Sequence, residues 1–412
     1  MITTLGGTAR RAALQLIVVL AALLLSSGLM LGSNLLETPA HAQTPDSPAQ
    51  VPCGNQGRLP SQVDQGTLPS GALYLICVPA TGWNGDLVVY AHGYTSPTEQ
   101  LGLQNLTLPD GTYLPDVVLG QQYAFATTSY RKNGLSILEG ADDIRQLVTK
   151  FQVSKPQSNH TYLAGVSEGA LITTLLIERS PEQFSGGLAA CGPVGSFRRQ
   201  INYFGDFRVL FDYFFPGVLP GSPIDVPDGV IRDWESTYVP KIKQALDNRP
   251  LATAQLMSTF ISSSGGPLDL SAPSKWEPAT VNLLWYNVFA TNDARQKLGG
   301  NPFDNHIRVY RGSANDWRLN QNVQRFSADK SALQNLVPYE TSGQVRRPLV
   351  TIHTTGDEII PYWQELRYLA KVQTSGKGRV TPIPILRYGH CNFTSQEVLG
   401  AFNLLVGQVA GT

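Results

Sequence analysis

The stretch that most restricts what this chain can fold into is Tyr162-Leu163-Ala164-Gly165-Val166-Ser167-Glu168-Gly169-Ala170-Leu171, a short apolar strand running directly into a helix with a serine at the corner. A residue on so sharp a turn takes up sparsely allowed backbone angles, and strand and helix can approach only where Cβ atoms are missing on both sides. Gly165 and Gly169 supply those gaps, so the segment reads as a nucleophile elbow. Its flanks agree. Residues 161–164 are β-rich, while 170–177 are apolar nearly all round, as a helix buried against a sheet requires. Pro181 stops that helix.

Strand-like segments at 73–78, 86–91, 123–130, 187–191, 348–354 and 380–388 surround the elbow, with helical patterns at 140–151 and 395–406. Alternation of this kind predicts an α/β fold with a mainly parallel sheet covered by helices on both faces. Pro382 and Pro384 favour an edge position for the last strand. The long stretch between the strands at 187–191 and 348–354 has a different character and reads as an inserted, mostly helical cap or lid. The expected layout is a signal peptide at 1–42, a Pro/Gly/Gln-rich arm at 43–69, a core built from 70–191 and 346–412, and the cap at 192–345.

The signal reading rests on Arg10-Arg11, an apolar run over 12–36, and Ala40-His41-Ala42 as a small-x-small cleavage site. It implies export to a secreted, periplasmic or other extracytoplasmic location, with a mature chain beginning near Gln43 and no stable membrane insertion after cleavage. An uncleaved membrane anchor is the alternative. Charged residues make up 15% of the chain and the formal net charge is zero, with no long basic run, which argues against a nucleic-acid partner. Four cysteines in an exported chain suggest two disulfides. Three pairings are available. The expected one joins Cys53 to Cys77, pinning the arm to the opening strand, and Cys191 to Cys391, fixing the loop beside His390; each would contribute about 2–4 kcal/mol.

A serine hydroxyl is a poor nucleophile, so a histidine must accept its proton and an acid must orient that histidine. His41 falls in the signal, His92 in the first glycine-containing loop, His160 at the start of the elbow strand, His306 in the cap and His353 inside a strand. His390, in Arg387-Tyr388-Gly389-His390-Cys391-Asn392, follows the last strand on a loop able to swing over the C-terminal edge of the sheet, and is the expected base. Asp357 is the expected acid, since Gly356 permits a tight turn that projects it from a strand end; Glu358 ranks second. The oxyanion of acyl transfer needs donors, for which the backbone N–H groups of Glu168 and Tyr94 are the candidates. The side chain of Glu168 reads as a first-turn helix charge. With no His-x-x-x-His and dispersed cysteines, no metal is expected.

His92-Gly93-Tyr94, Gly165-Val166-Ser167-Glu168-Gly169, Gly356-Asp357 and Gly389-His390 together resemble the α/β-hydrolase superfamily over residues 70–410. The resemblance implies a cofactor-free hydrolase working through an acyl-enzyme, in the chain order Ser167, Asp357, His390. Serine at the elbow departs from the dehalogenase and epoxide-hydrolase branches, which place aspartate there. His390-Cys391 is similar to tannases and feruloyl esterases, whose histidine is braced by a disulfide, but their partner cysteine precedes the serine where this chain has Val166. Gly93-Tyr94-Thr95 is similar to polyester hydrolases.

Phe204, Phe207, Phe211, Phe214 and Phe215 recur at helical spacing, and Trp234, Tyr238, Trp285, Tyr286 and Trp317 add aromatic surface. These rings serve either as cap core or as the roof of an apolar pocket over Ser167. The leading expectation is a secreted esterase for small-molecule or polymeric esters with apolar or aromatic groups. Its rivals are a serine aminopeptidase or prolyl-oligopeptidase-like peptidase, with Glu168, Asp206 or Asp212 binding the α-amine, and a non-catalytic hydrolase-like binding protein.

Overall fold

Short runs of apolar and β-branched residues, each punctuated by glycine, proline or polar turns, pair into one sheet in this computed structural model, which describes Cys53 and residues 61–411 apart from 109, 157, 268 and 270. The expected signal at 1–42 and the arm residues 43–52 and 54–60 lie outside the described residues. The strands are β1 (Ser61–Thr67), β2 (Leu73–Pro79), β3 (Leu87–Ala91), β4 (Ala124–Thr128), β5 (Thr161–Val166), β6 (Gly186–Ala190), β7 (Leu349–Gly356) and β8 (Val380–Tyr388). Their spatial order is β1-β2-β4-β3-β5-β6-β7-β8. β2 runs antiparallel to β1 and β4, and every other neighbouring pair is parallel. This is the α/β-hydrolase fold.

Parallel strands need crossovers, and helices provide them: α1 (Leu114–Gly120), α2 (Ile137–Ser154), α3 (Glu168–Arg179), then α4 (Phe197–Phe214), α5 (Asp228–Arg232), α6 (Val239–Asn248), α7 (Pro250–Ser264), α8 (Trp276–Leu298), α9 (Asp316–Asn322) and α10 (Lys330–Leu336) between β6 and β7, with α11 (Trp363–Ser375) and α12 (Ser395–Ala410) after it. Successive strand residues face opposite sides. Leu163, Val89, Ala189 and Leu349 join α2, α3 and Tyr368 of α11 in one core, whereas Tyr162, Val88, Leu188 and Val350 pack against Phe402 and Leu405 of α12 on the other face. Burial on both faces explains why these strands read as continuous apolar runs. The prolines of β8 sit at the sheet edge, where a missing ladder donor costs least.

The segment between β6 and β7 builds its own core from Phe207, Phe211, Trp234, Phe260, Leu283 and Val288, which continues into Ile359 and Ile360 directly after β7. Its helices are therefore welded to the loop that leaves the sheet at Asp357.

One expectation needs correction. Residues 61–67 belong to no loose arm; they form β1 along the whole of β2. Ser-Gln-Val-Asp-Gln-Gly-Thr carries no apolar periodicity, because this edge strand is held by backbone pairing with its side chains mostly exposed, Val63 by 51%. Cys53 is tied to the same region by its disulfide to Cys77 of β2.

A very tight backbone approach lies at the start of α3. A Cβ at Gly169 would run into the carbonyl oxygens of Ala91 and His92, and one at Gly165 into the carbonyl of Gly169. Neither obstacle is a side chain able to swing away. Gly169→Ala is therefore expected to destabilise the fold by about 3 kcal/mol or more, read as a shift in the urea unfolding midpoint; an unchanged midpoint would mean that β3, β5 and α3 do not cross this closely.

Candidate active site

Ser167 occupies the corner between β5 and α3 with φ 55° and ψ −118°, a region that non-glycine residues seldom enter. The strain is held by neighbours on both sides: the Ser167 N–H donates to Ala190 O at 2.9 Å, and Ala170 N–H donates to Ser167 O at 3.0 Å. The loop after β3 closes in as well, with Gly93 placed so that a Cβ there would stand 3.3 Å from Ser167 Cβ.

Two other strand ends deliver the remaining groups. His390 follows β8 and points Nε2 at Ser167 Oγ, 3.0 Å away, and Nδ1 at Asp357 Oδ2, 2.8 Å away. An ionised carboxylate can only accept, so Nδ1–H donates to Asp357 and Nε2 is free to accept from the serine hydroxyl. Asp357 is fully buried, and its second oxygen accepts from the N–H groups of Ile359 at 3.0 Å and Ile360 at 2.8 Å. Burial would push its carboxyl up, but the charge and hydrogen bonds of His390 and His353 outweigh burial and hold it below the usual carboxylate range. The acid therefore stays ionised, as orienting the imidazole requires.

The histidine loop is clamped from several directions. Gly389 N–H donates to Gly356 O at 3.0 Å, and Thr354 Oγ1 donates to Gly389 O at 2.7 Å. Cys391 is bonded to Cys191 at the end of β6, across 200 residues of sequence. Cys191, His390 and Cys391 lie within metal-ligand reach of one another, but the two sulfurs are spent on each other.

The other histidines are engaged elsewhere. His92 is buried, stacks on Tyr130 at 3.9 Å and contacts Gly93 O through Nδ1, and burial pushes it down to about 4. His160 pairs with Asp86 at 3.1 Å, and His306 is exposed. Glu358 does not reach His390; it is pushed up to about 6 by burial, and its backbone carbonyl accepts from Tyr203. Glu168 lies in the first turn of α3, as expected. Its carboxylate is buried, accepts from Ser136 N–H at 2.8 Å and is pushed up to about 8 by burial.

Sequence reasoning missed His353. Its Nε2 lies 2.8 Å from Ile360 O and 3.6 Å from Asp357 Oδ2, the oxygen that His390 also approaches. Burial pulls this imidazole down, yet the Asp357 carboxylate outweighs that and holds it above its ordinary value. The available signal was a histidine four residues before the acid, across the strand-end turn.

A cavity of about 280 Å³ opens on Ser167 and His390, with Tyr94, Leu108, Leu188, Tyr286 and Phe393 among its walls. Tyr94 packs edge-on against Trp285 and lies beside Tyr286 of α8, which stacks on Phe204. Of the cap aromatics, Tyr286 reaches this cavity; Phe207, Phe211, Phe214, Phe215 and Trp234 are buried in the cap core, and Trp317 is exposed.

No protein-family model matches the sequence, and a comparison with curated proteins finds no match. Among solved structures the chain is similar to a Pyrococcus furiosus esterase, at 12% identity over 85% of this chain and 90% of that one, with a TM-score of 0.43. It is also similar to Pyrococcus horikoshii acylaminoacyl peptidase, at 12% identity over 83% of this chain and TM-score 0.41, and to Porphyromonas gingivalis dipeptidyl peptidase 4, at 10% identity over 86% and TM-score 0.41. Of those two peptidases it spans 39% and 36% of the length.

The Glu168 carboxyl generates a pH prediction. The folded protein keeps this proton up to about 8, whereas an unfolded chain releases it near 4.5. Its contribution to stability is therefore complete below 4.5 and is lost as pH rises to about 8, with a slope of up to about 1.4 kcal/mol per pH unit. Glu168→Gln, which keeps the acceptor for Ser136 N–H, is expected to flatten this decline in urea melts taken across that window. Superimposable profiles for the two proteins would contradict the assignment.

Proposed function

We propose that this protein is an exported serine hydrolase that cleaves carboxylic esters carrying apolar or aromatic groups through an acyl-enzyme. The observation that carries the reading is the unbroken run from Ser167 Oγ through both nitrogens of His390 to the buried carboxylate of Asp357. Attack of Oγ on the ester carbonyl transfers the hydroxyl proton to Nε2, while Asp357 stabilises the imidazolium through Nδ1–H. The N–H groups of Tyr94 and Glu168 are assigned to the oxyanion, since the first belongs to the loop packed on the serine and the second opens α3 at its positive end. Collapse of the tetrahedral species expels the alcohol, which takes the proton from His390. Water then repeats the sequence on the acyl-enzyme.

Ester rather than peptide specificity is supported by the cavity lining. Among the described residues, none of its walls is an aspartate or glutamate that could hold a free α-amine. The three carboxylates considered for that role are committed elsewhere: Glu168 to Ser136 N–H, Asp206 to Tyr310 Oη at 2.7 Å, and Asp212 to Arg208 at 2.8 Å. A non-catalytic binding protein would have no use for a strained serine aligned with an oriented imidazole. Export is supported by the two disulfides; among the described residues no helix is long and apolar enough to cross a membrane. The reading names small-molecule or polymeric esters as substrate and needs neither cofactor nor nucleic acid.

The test is a panel of p-nitrophenyl esters of increasing acyl length beside aminoacyl anilides, with fluorophosphonate labelling. Esters are expected to be preferred, and Ser167→Ala is expected to abolish labelling and lower kcat/KM by at least about 10⁴-fold. Preference for anilides would overturn the ester assignment, and absence of labelling in folded protein would overturn the hydrolase.

A further inference from the structure

A second cavity, against the cap, lies away from Ser167. It measures about 600 Å³, opens between α4, α7 and α11, and shares no lining residue with the cavity containing the serine. Its walls carry the guanidinium groups of Arg198, Arg199, Arg308 and Arg367 against one carboxylate, that of Asp206. That carboxylate is already engaged. Asp206 is buried, accepts from Tyr310 Oη at 2.7 Å and pairs with Arg308 at 3.2 Å. Glu340 takes the Ser196 hydroxyl at 3.1 Å, Arg198 N–H at 2.9 Å and Lys371 at 3.1 Å, and Asp304, in the adjoining cavity, accepts from the N–H groups of His306 and Ala328.

Among the described residues, the side chains of Arg198, Arg199 and Arg367 form no ion pair. Arg199 lines the cavity together with Arg367 and Arg308: burial lowers its guanidinium, and the like charges of Arg367 and Arg308 lower it further. The first turn of α4, where Arg198 and Arg199 reside, has no acidic residue of its own, and its positive end is met by the Glu340 carboxylate, which accepts from Arg198 N–H rather than from either guanidinium. A concave wall of one sign focuses its field inward, and the guanidinium fork matches planar and tetrahedral oxyanions in bidentate fashion. Trp363 adds a flat apolar surface to the same wall.

We propose that this basin binds a small molecule bearing a multivalent oxyanion, a phosphate- or polycarboxylate-type group, at a site separate from the catalytic cavity. Its floor is joined to the catalytic loop, because Tyr203 Oη donates to Glu358 O at 2.7 Å and Gln200 Nε2 to Ile359 O at 2.7 Å, immediately after Asp357. The occupant therefore docks one hydrogen bond from the segment that carries the acid.

Calorimetric titration of the wild-type mature protein with inorganic phosphate, sulfate and citrate, in separate runs at ionic strength held constant with sodium chloride, tests the site directly. A saturable isotherm is expected for at least one of the three, and the one that binds tells phosphate-type from carboxylate-type occupants. Replacing Arg199 and Arg367 together by Gln is expected to weaken that binding at least about tenfold, through lost charge-assisted hydrogen bonds. Arg232→Gln, at an exposed arginine paired with Asp233, is expected to leave it unchanged. Arg199→Gln alone carries the same expectation if the double variant does not fold. No saturable signal in the wild type overturns the proposal, as does undiminished binding in the variants or equal weakening by Arg232→Gln.

Discussion

The crossing of β3, β5 and α3 is the constraint on which the rest of this molecule depends. Helix and strands meet there with main-chain oxygens filling the space that a Cβ at position 165 or 169 would need. That approach forces Ser167 into positive φ and lifts its hydroxyl from the end of β5. The cost of such a backbone, about 1–3 kcal/mol, is offset by the buried apolar surface of α3, whose residues 170–177 are all buried.

Everything that meets the serine arrives on the end of another parallel strand. β7 supplies Asp357 and β8 supplies His390, and the two strands are joined beyond their last regular pair by Gly389 N–H to Gly356 O and by Thr354 to Gly389 O. The disulfide from Cys391 to Cys191 ties the same loop to the end of β6. His390 is thus fixed relative to three neighbouring strands. Asp357 in turn accepts from two backbone N–H groups and from His390, with His353 3.6 Å from the oxygen that His390 holds. In a buried site this keeps the acid charged and aimed, which an isolated carboxylate could not manage.

How much of this was legible in the sequence follows from what kind of information each feature needs. The glycine spacing around Ser167 encodes a local steric requirement, so the elbow could be read directly. Asp357 and His390 could be placed because a polar residue just past an apolar strand, next to glycine, has few other reasons to be there. β1 could not be found, since its hold on β2 comes chiefly from main-chain atoms that every sequence possesses, with the Tyr74 hydroxyl donating to Asp64 beside them. Glu168 could be placed in the first turn of α3, but its burial could not be read, because its partner Ser136 comes from a different segment of the chain. Which cap aromatic reaches the serine was equally hidden: helical spacing shows that Phe207 and Phe211 share a face, but only packing decides that the face is internal and that Tyr286 looks into the cavity. Likewise, the arginines of the second basin are scattered from 198 to 367 and gain meaning only when α4, α7 and α11 are brought together.

The central claim is that a buried, ionised Asp357 holds the Nδ1 proton of His390 and leaves Nε2 open to the serine. Proton NMR of the resting protein measures it most directly. The account predicts a low-field resonance from the shared His390 proton that exchanges slowly with solvent and disappears in Asp357→Asn. A folded wild-type protein without that resonance, or an Asp357→Asn variant that retains it, would contradict the account.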